Sequence, residues 1–196
     1  MSLQYRRIFV SINLTTTILN GIKNTIRFLQ IDFPKGVRWI RPETAHVTVQ
    51  FVGEMPENIL GNFIKKLGEV TPGWSPFTLF LGSPEVIPSL KRPRVIWIPL
   101  DGDLEEMQNM SFGVRNVIKN CGIDLNARGF LPHITLGRIF QPKCFNNHGA
   151  VAKRLQRYVI RTNPQSLEVS EIAIVQSVLH QSGPMYTNRK KYPVSA

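Results

Sequence analysis

The chain of 196 residues holds only two cysteines, Cys121 and Cys144, with no CxxC pair and no histidine at zinc-finger spacing. A disulfide scaffold and a structural zinc site are therefore not expected, and both thiols read as reduced packing residues. Long apolar runs are missing as well. The N-terminal stretch Ile8-Phe9-Val10-Ser11-Ile12-Asn13-Leu14 is too short and too polar for a signal segment or a membrane span, so a cytoplasmic location is expected. Low-complexity tracts, charge blocks and long linkers are absent, which leaves no visible domain boundary. Acidic residues are scarce: 13 Asp and Glu against 24 Lys and Arg give a net charge of +11. That surplus attracts polyanions by releasing condensed counterions, so nucleic acid is the natural partner class and an anionic surface a second.

What is present is an ordinary globular composition, 42% hydrophobic and 19% charged, with enough chain for one sizeable core. Alternation over residues 6–14 predicts a strand. Ile18, Ile22, Ile26 and Leu29 at helical spacing predict a helix over 15–29. A short extended run over 37–40 precedes a strand over 45–52, closed by Gly53, and a helix over 56–70 follows. Strands are expected over 77–81 and 94–100, separated by a Pro-rich basic loop over 84–93. A helix over 101–120 with Leu104, Met107, Phe112 and Val117 inward, a strand over 130–139, a helix over 150–160, a strand over 166–179 and an extended segment over 186–194 complete the reading. The similar order of elements in the two halves suggests a single domain over 1–196 built by internal duplication.

Two tetrapeptides, His46-Val47-Thr48-Val49 and His133-Ile134-Thr135-Leu136, repeat the pattern His-x-Thr-hydrophobic 87 positions apart, each inside a predicted strand. With eleven threonines in the chain, two of its four histidines would carry a Thr two places on in about 2% of such sequences. Residues two apart on a strand share a face, so each strand presents an imidazole beside a hydroxyl. Two imidazoles, one neutral and one protonated, make a general base and a general acid about a phosphate, and the hydroxyls of Thr48 and Thr135 donate to its non-bridging oxygens. That chemistry calls for no metal and no cofactor. Two core histidines with strand-forming threonines are the plain alternative, and His148 and His180, which lack the threonine, receive no role.

At these residues the chain resembles the two-histidine (2H) phosphoesterase superfamily, and within it the bacterial and archaeal RNA 2',3'-cyclic phosphodiesterases, also called 2'-5' RNA ligases. The flanks extend the resemblance: Arg7-Ile8-Phe9-Val10, Trp39, Gln50-Phe51-Val52-Gly53, Arg92-Pro93-Arg94-Val95-Ile96-Trp97, Gly137-Arg138 and Ser182-Gly183-Pro184-Met185-Tyr186. It implies an α+β, bilobal LigT-like fold, two pseudo-symmetric halves each with an antiparallel sheet and outer helices, with the active-site cleft between them. It also implies His46 as proton donor and His133 as proton acceptor in opening a cyclic phosphodiester to a 2'-phosphate. The residues alone leave those roles open. The implied partner is RNA ending in a 2',3'-cyclic phosphate, tRNA fragments included, or a small nucleotide; no membrane is implied, and a monomer is expected. Joining tRNA halves through a 2'-5' bond, cleaving 2'-5' oligonucleotides and non-catalytic RNA or nucleotide binding are the competing readings.

Four further residues are candidates for substrate binding. The resemblance places Arg138 near the phosphate, yet a five-residue offset from His133 points it to the other face of a regular strand. Tyr186 follows a Ser-Gly-Pro turn and is either a cleft residue or an ordinary strand tyrosine. Phe51 is a candidate to stack on a base, with core packing the plainer reading. Arg92, with Lys91 and Arg94, would track an RNA backbone from the Pro-rich loop, or is simply solvated.

Overall fold

The computed structural model describes residues 4–125, 131–157, 166–181 and 183–195. The N-terminal strand β1 (Tyr5–Asn13) leads into α1 (Thr16–Asp32). The helix starts where Thr15 Oγ1 accepts from the Ile18 N–H at 3.3 Å, an N-cap of the usual kind. Its stripe Ile18, Ile22, Ile26 and Leu29 is fully buried. Next come β2 (Val37–Trp39), β3 (His46–Pro56) and α2 (Glu57–Val70), which buries Leu60, Phe63 and Leu67. The strands β4 (Phe77–Leu81), β5 (Glu85–Ile87) and β6 (Val95–Gly102) precede α3 (Leu104–Lys119). The chain continues through β7 (His133–Ile139), α4 (His148–Gln156), β8 (Ser166–Val169), β9 (Glu171–His180) and β10 (Gly183–Pro193).

Among the described residues all the strand pairs are antiparallel, in the order β10-β9-β1-β3-β7-β6-β4-β8, with β2 also on β7 and β5 on β6. The sheet falls into two halves, β10-β9-β1-β3 and β7-β6-β4-β8, whose junction between β3 and β7 is one residue pair, Val47 with Ile134. One face of this sheet carries the main core. Ile8, Val10 and Ile12 of β1, Val47 and Val49 of β3, and Ile134 and Leu136 of β7 pack there with the buried residues of α1, α2, α3 and α4. On the opposite face the described residues form a small apolar cluster, Phe9, Ala173 and Val175.

Several elements differ from the sequence reading, each for a reason seen in the pairing. Gly53, at φ +88°, bends β3 without ending it, because β1 continues to pair as far as Tyr5 with Pro56. The Pro-rich loop contains β5, whose Glu85, Val86 and Ile87 pair with Trp97, Ile96 and Val95. The expected single strand over 166–179 divides at Ser170, since β8 pairs with β4 in one half and β9 with β1 in the other. Strand β6 runs on to Gly102, which moves the start of α3 to Leu104. Phe112 is 65% exposed, and Met107, Met110, Ser111, Val114, Val117 and Ile118 form the buried stripe of α3 instead. Helix α4 begins at His148, earlier than expected. Residues 158–160 and Phe130, placed in elements by the sequence pattern, lie outside the described residues.

Candidate active site

The Val47–Ile134 pair is the centre of both motifs. One step along an antiparallel ladder on either side sets His46 toward Thr135 and Thr48 toward His133, so each histidine is placed on the side of the other motif's threonine. Val47 and Ile134 are fully buried on the helix side, which sends the four polar side chains to the open face. The flanking strands repeat the arrangement. Strand β1 sets Asn13 opposite His46 and Ser11 opposite Thr48; β6 sets Pro99 opposite His133 and Trp97 opposite Thr135.

Immediately after each threonine the ladder slips by one residue. Val10 pairs with Gln50 and Ser11 with Thr48, which skips Val49; Ile96 pairs with Gly137 and Trp97 with Thr135, which skips Leu136. A β-bulge therefore sits at the fourth position of both motifs, and it inverts the alternation of faces beyond it. Phe51 comes to stand opposite Phe9, and Arg138 opposite Val95, both on the motif face. Regular alternation puts the fifth residue after each histidine on the far side; the bulge brings it back. This overturns core packing for Phe51, which is 57% exposed with its ring centroid 6.1 Å from that of Phe9. It also removes the orientation argument against Arg138, which is exposed. The carbonyl of each bulged residue is satisfied from outside that ladder: Val49 O accepts from Ser111 Oγ of α3 at 2.9 Å, and Leu136 O from the Ile40 N–H at 3.0 Å.

The two imidazoles are held alike. His46 Nδ1 lies 2.8 Å from Thr44 O and His133 Nδ1 lies 2.7 Å from Leu131 O, in each case the carbonyl two residues upstream. A carbonyl only accepts, so Nδ1 carries the hydrogen in both rings, which leaves Nε2 of each as the nitrogen that gains or loses the working proton. The environments differ. His46 packs between Phe9 and Tyr186, with ring centroids 4.9 and 5.3 Å away. Burial, with the charge of His133 acting in the same direction, holds its pKa below the ordinary histidine value despite the hydrogen bond to Thr44. His133 stands edge-on to Trp97 at 5.3 Å.

A cavity of about 430 Å³ opens beside His46, lined by Phe9, Asn13, Arg41, Tyr186 and Asn188 among others. Among the described residues, two polar side-chain atoms are buried without a hydrogen-bond partner, Ser11 Oγ and Trp97 Nε1. They occupy equivalent rungs, beside Thr48 and Thr135, on the open face. A buried orphan donor is costly unless a ligand satisfies it, so both mark places for an acceptor oxygen.

Tyr186 stands over His46, its hydroxyl pKa raised by burial against the opposing influence of Arg138, Arg7 and Arg41, so it remains a donor at neutral pH. Arg41 Nη2 donates to Pro184 O at 2.8 Å, tying the segment before His46 to the start of β10. Arg92 is exposed in the β5–β6 turn, with its N–H on Ser89 O, beyond the Arg138 end of β6 and away from the histidines. Asn13, Ser11 and Arg41 were not singled out by sequence reasoning, and Trp97 entered only within a flank of the family resemblance. Asn13, Ser11 and Trp97 reach the site through pairing with distant strands, and Arg41 lies five residues before His46. Among the described residues no group of three His, Cys, Asp or Glu side chains is placed to hold a metal ion, and no helix is long and apolar enough to cross a membrane.

Comparison with known proteins identifies relatives of the chain. Residues 18–97 match the model of the LigT like phosphoesterase family. The RNA 2',3'-cyclic phosphodiesterase of Aquifex aeolicus is 30% identical over 176 residues, covering 88% of this chain and 89% of the relative. Among solved structures, a Thermus thermophilus protein superposes with a TM-score of 0.76 at 22% identity, covering 96% and 97% of the two chains. Escherichia coli LigT in apo form does so with 0.74 at 20% identity, covering 98% and 99%. Sequence, fold and paired motifs together show that this chain belongs to the LigT-like family of two-histidine phosphoesterases.

Proposed function

We propose that the protein hydrolyses the 2',3'-cyclic phosphodiester at RNA ends to a 2'-phosphomonoester, by general acid-base catalysis between His46 and His133. The observation that carries this reading is the antiparallel crossing of the two motifs, which sets an imidazole and a hydroxyl from each half around one point. The names of the curated relatives support the substrate class.

In this mechanism His133 Nε2 takes a proton from water as its oxygen attacks phosphorus. The bond from phosphorus to the ribose O3' breaks, and O3' receives the proton of His46 Nε2. Thr48 and Thr135 donate to the non-bridging oxygens where charge accumulates, with Ser11 Oγ and Trp97 Nε1 as additional donors. The direction follows the family resemblance and suits the cavity, which lies on the His46 side and offers room for the departing ribose and its base. After one turnover His133 is protonated and His46 neutral, and exchange with solvent resets both.

The test is a short RNA ending in a 2',3'-cyclic phosphate, incubated in EDTA with wild type, His46→Ala and His133→Ala. Conversion to a 2'-phosphate, reduced by about 10²- to 10⁴-fold in each variant, is expected. RNA bound without turnover by the wild type would overturn the reading.

A further inference from the structure

The cavity beside His46 holds more hydrogen-bonding capacity than the reaction uses. Ser11 Oγ, in a residue 1% exposed and without a partner, lies on its wall. Asn13 and Asn188 line it from β1 and β10, and Met185, 48% exposed, adds an apolar side chain. Among the described residues the side chains of Asn13, Glu43 and Asn188 make no hydrogen bond and no ion pair. Glu43 is the only acid among the described residues that line the cavity. A carboxylate there repels the phosphate and attracts N–H donors. Its place is fixed by the turn Pro42–Thr44. The Thr44 N–H and Thr44 Oγ1 both donate to Arg41 O, at 2.8 and 2.7 Å, and Thr44 O accepts from His46 Nδ1. Arg41 and Glu43 therefore stand on the segment that also orients the His46 ring. Arg41 spends one nitrogen on Pro184 O and keeps the other donors of its fork.

We propose that this wall of the histidine site reads the base of the terminal nucleotide, and that Glu43 and Arg41 make it select guanine. The O3' that receives the proton of His46 belongs to that nucleotide's ribose, so its base enters the cavity on the His46 side. A carboxylate only accepts. Guanine alone of the four bases sets two donors side by side, N1–H and the N2 amino group, to match its two oxygens. Adenine and cytosine place a ring lone pair next to their amino group, and uracil flanks its one N–H with two carbonyls. Guanine O6 and N7 are in turn the acceptor pair that an arginine fork takes. The acceptors N7 and O6 and the donors N1–H and N2 follow one another round the edge of the ring, as Arg41 and Glu43 follow one another round the turn. Asn13 and Asn188 both donate and accept, so they suit any base and choose none. The inference rests on the phosphodiesterase reading for the direction in which the nucleotide lies.

The experiment compares kcat/KM for guanosine and adenosine 2',3'-cyclic phosphates on wild type and Glu43→Gln. Glu43 is exposed, so the substitution changes the chemistry of the wall without unpacking the core. The wild type should favour guanosine by about tenfold or more, the worth of one bidentate base contact. Glu43→Gln should bring that ratio to within about twofold of one, mostly through KM. A ratio near one in the wild type, or a ratio that the substitution leaves unchanged, overturns the proposal. Calorimetry with guanosine and adenosine 2'-monophosphates reads the same preference without turnover. If the wild type hydrolyses neither cyclic phosphate, the proposed activity fails while the binding ratio still decides the base.

Discussion

At the scale of the residue, the two histidines share a backbone anchor and differ in surroundings. His46 lies between two aromatic rings and its pKa is lowered first by burial and then by His133. Its proton NMR titration in the free protein should have a midpoint below 6.5, and His133→Ala should raise that midpoint by removing a positive neighbour. Because His46 is neutral above this midpoint, a donor role requires the bound phosphate anion to raise its proton affinity. The role itself is separable from the pH profile. With bis(4-nitrophenyl) phosphate the leaving group departs as a stable anion and needs no proton, so His46→Ala should retain most activity while His133→Ala loses it. Comparable losses in the two variants would sink the assignment of donor and acceptor. The histidines and threonines were legible in the sequence because their chemistry is carried by adjacent positions on one strand. Phe51 and Arg138 were candidates there too, but which face they take was not legible, because it depends on bulges at Val49 and Leu136, and neither residue type marks a bulge.

At the scale of the element, those bulges are held by groups contributed from elsewhere in the chain. Ser111 is the polar member of an otherwise apolar stripe on α3, and its hydroxyl satisfies the Val49 carbonyl. Replacing it with alanine leaves a buried acceptor without a partner, and a loss of about 1–3 kcal/mol is expected in denaturant unfolding. Gly137→Ala forces Val37 and Trp39 away from β7, and a loss of about 1–3 kcal/mol is expected in denaturant unfolding. Helix stripes such as Ile18 to Leu29 were readable because a 3.6-residue period needs no knowledge of partners. Strand limits were less readable. Strand β3 outlasts Gly53 because β1 is there to pair with it, and residues 166–180 divide because their two parts pair in different halves.

At the scale of the whole molecule, the C-terminal strand completes the first half of the cleft. It brings Tyr186 over His46 and is pinned at its far end by Tyr192, whose hydroxyl donates to Ile64 O of α2 at 2.6 Å and whose pKa is pushed up to about 12 by burial. Tyr192→Phe should lower stability by about 1 kcal/mol, measured by denaturant unfolding. The two halves share a register about the Val47–Ile134 rung and a bulge at the fourth position of each motif. The single rung joining β3 to β7 has a mechanical consequence. The backbone bonds across one pair of residues there, while one continuous apolar core runs beneath both halves. The distance between the two imidazoles is therefore set by the packing under Val47 and Ile134, and a change of side-chain volume at either position shifts both motifs at once.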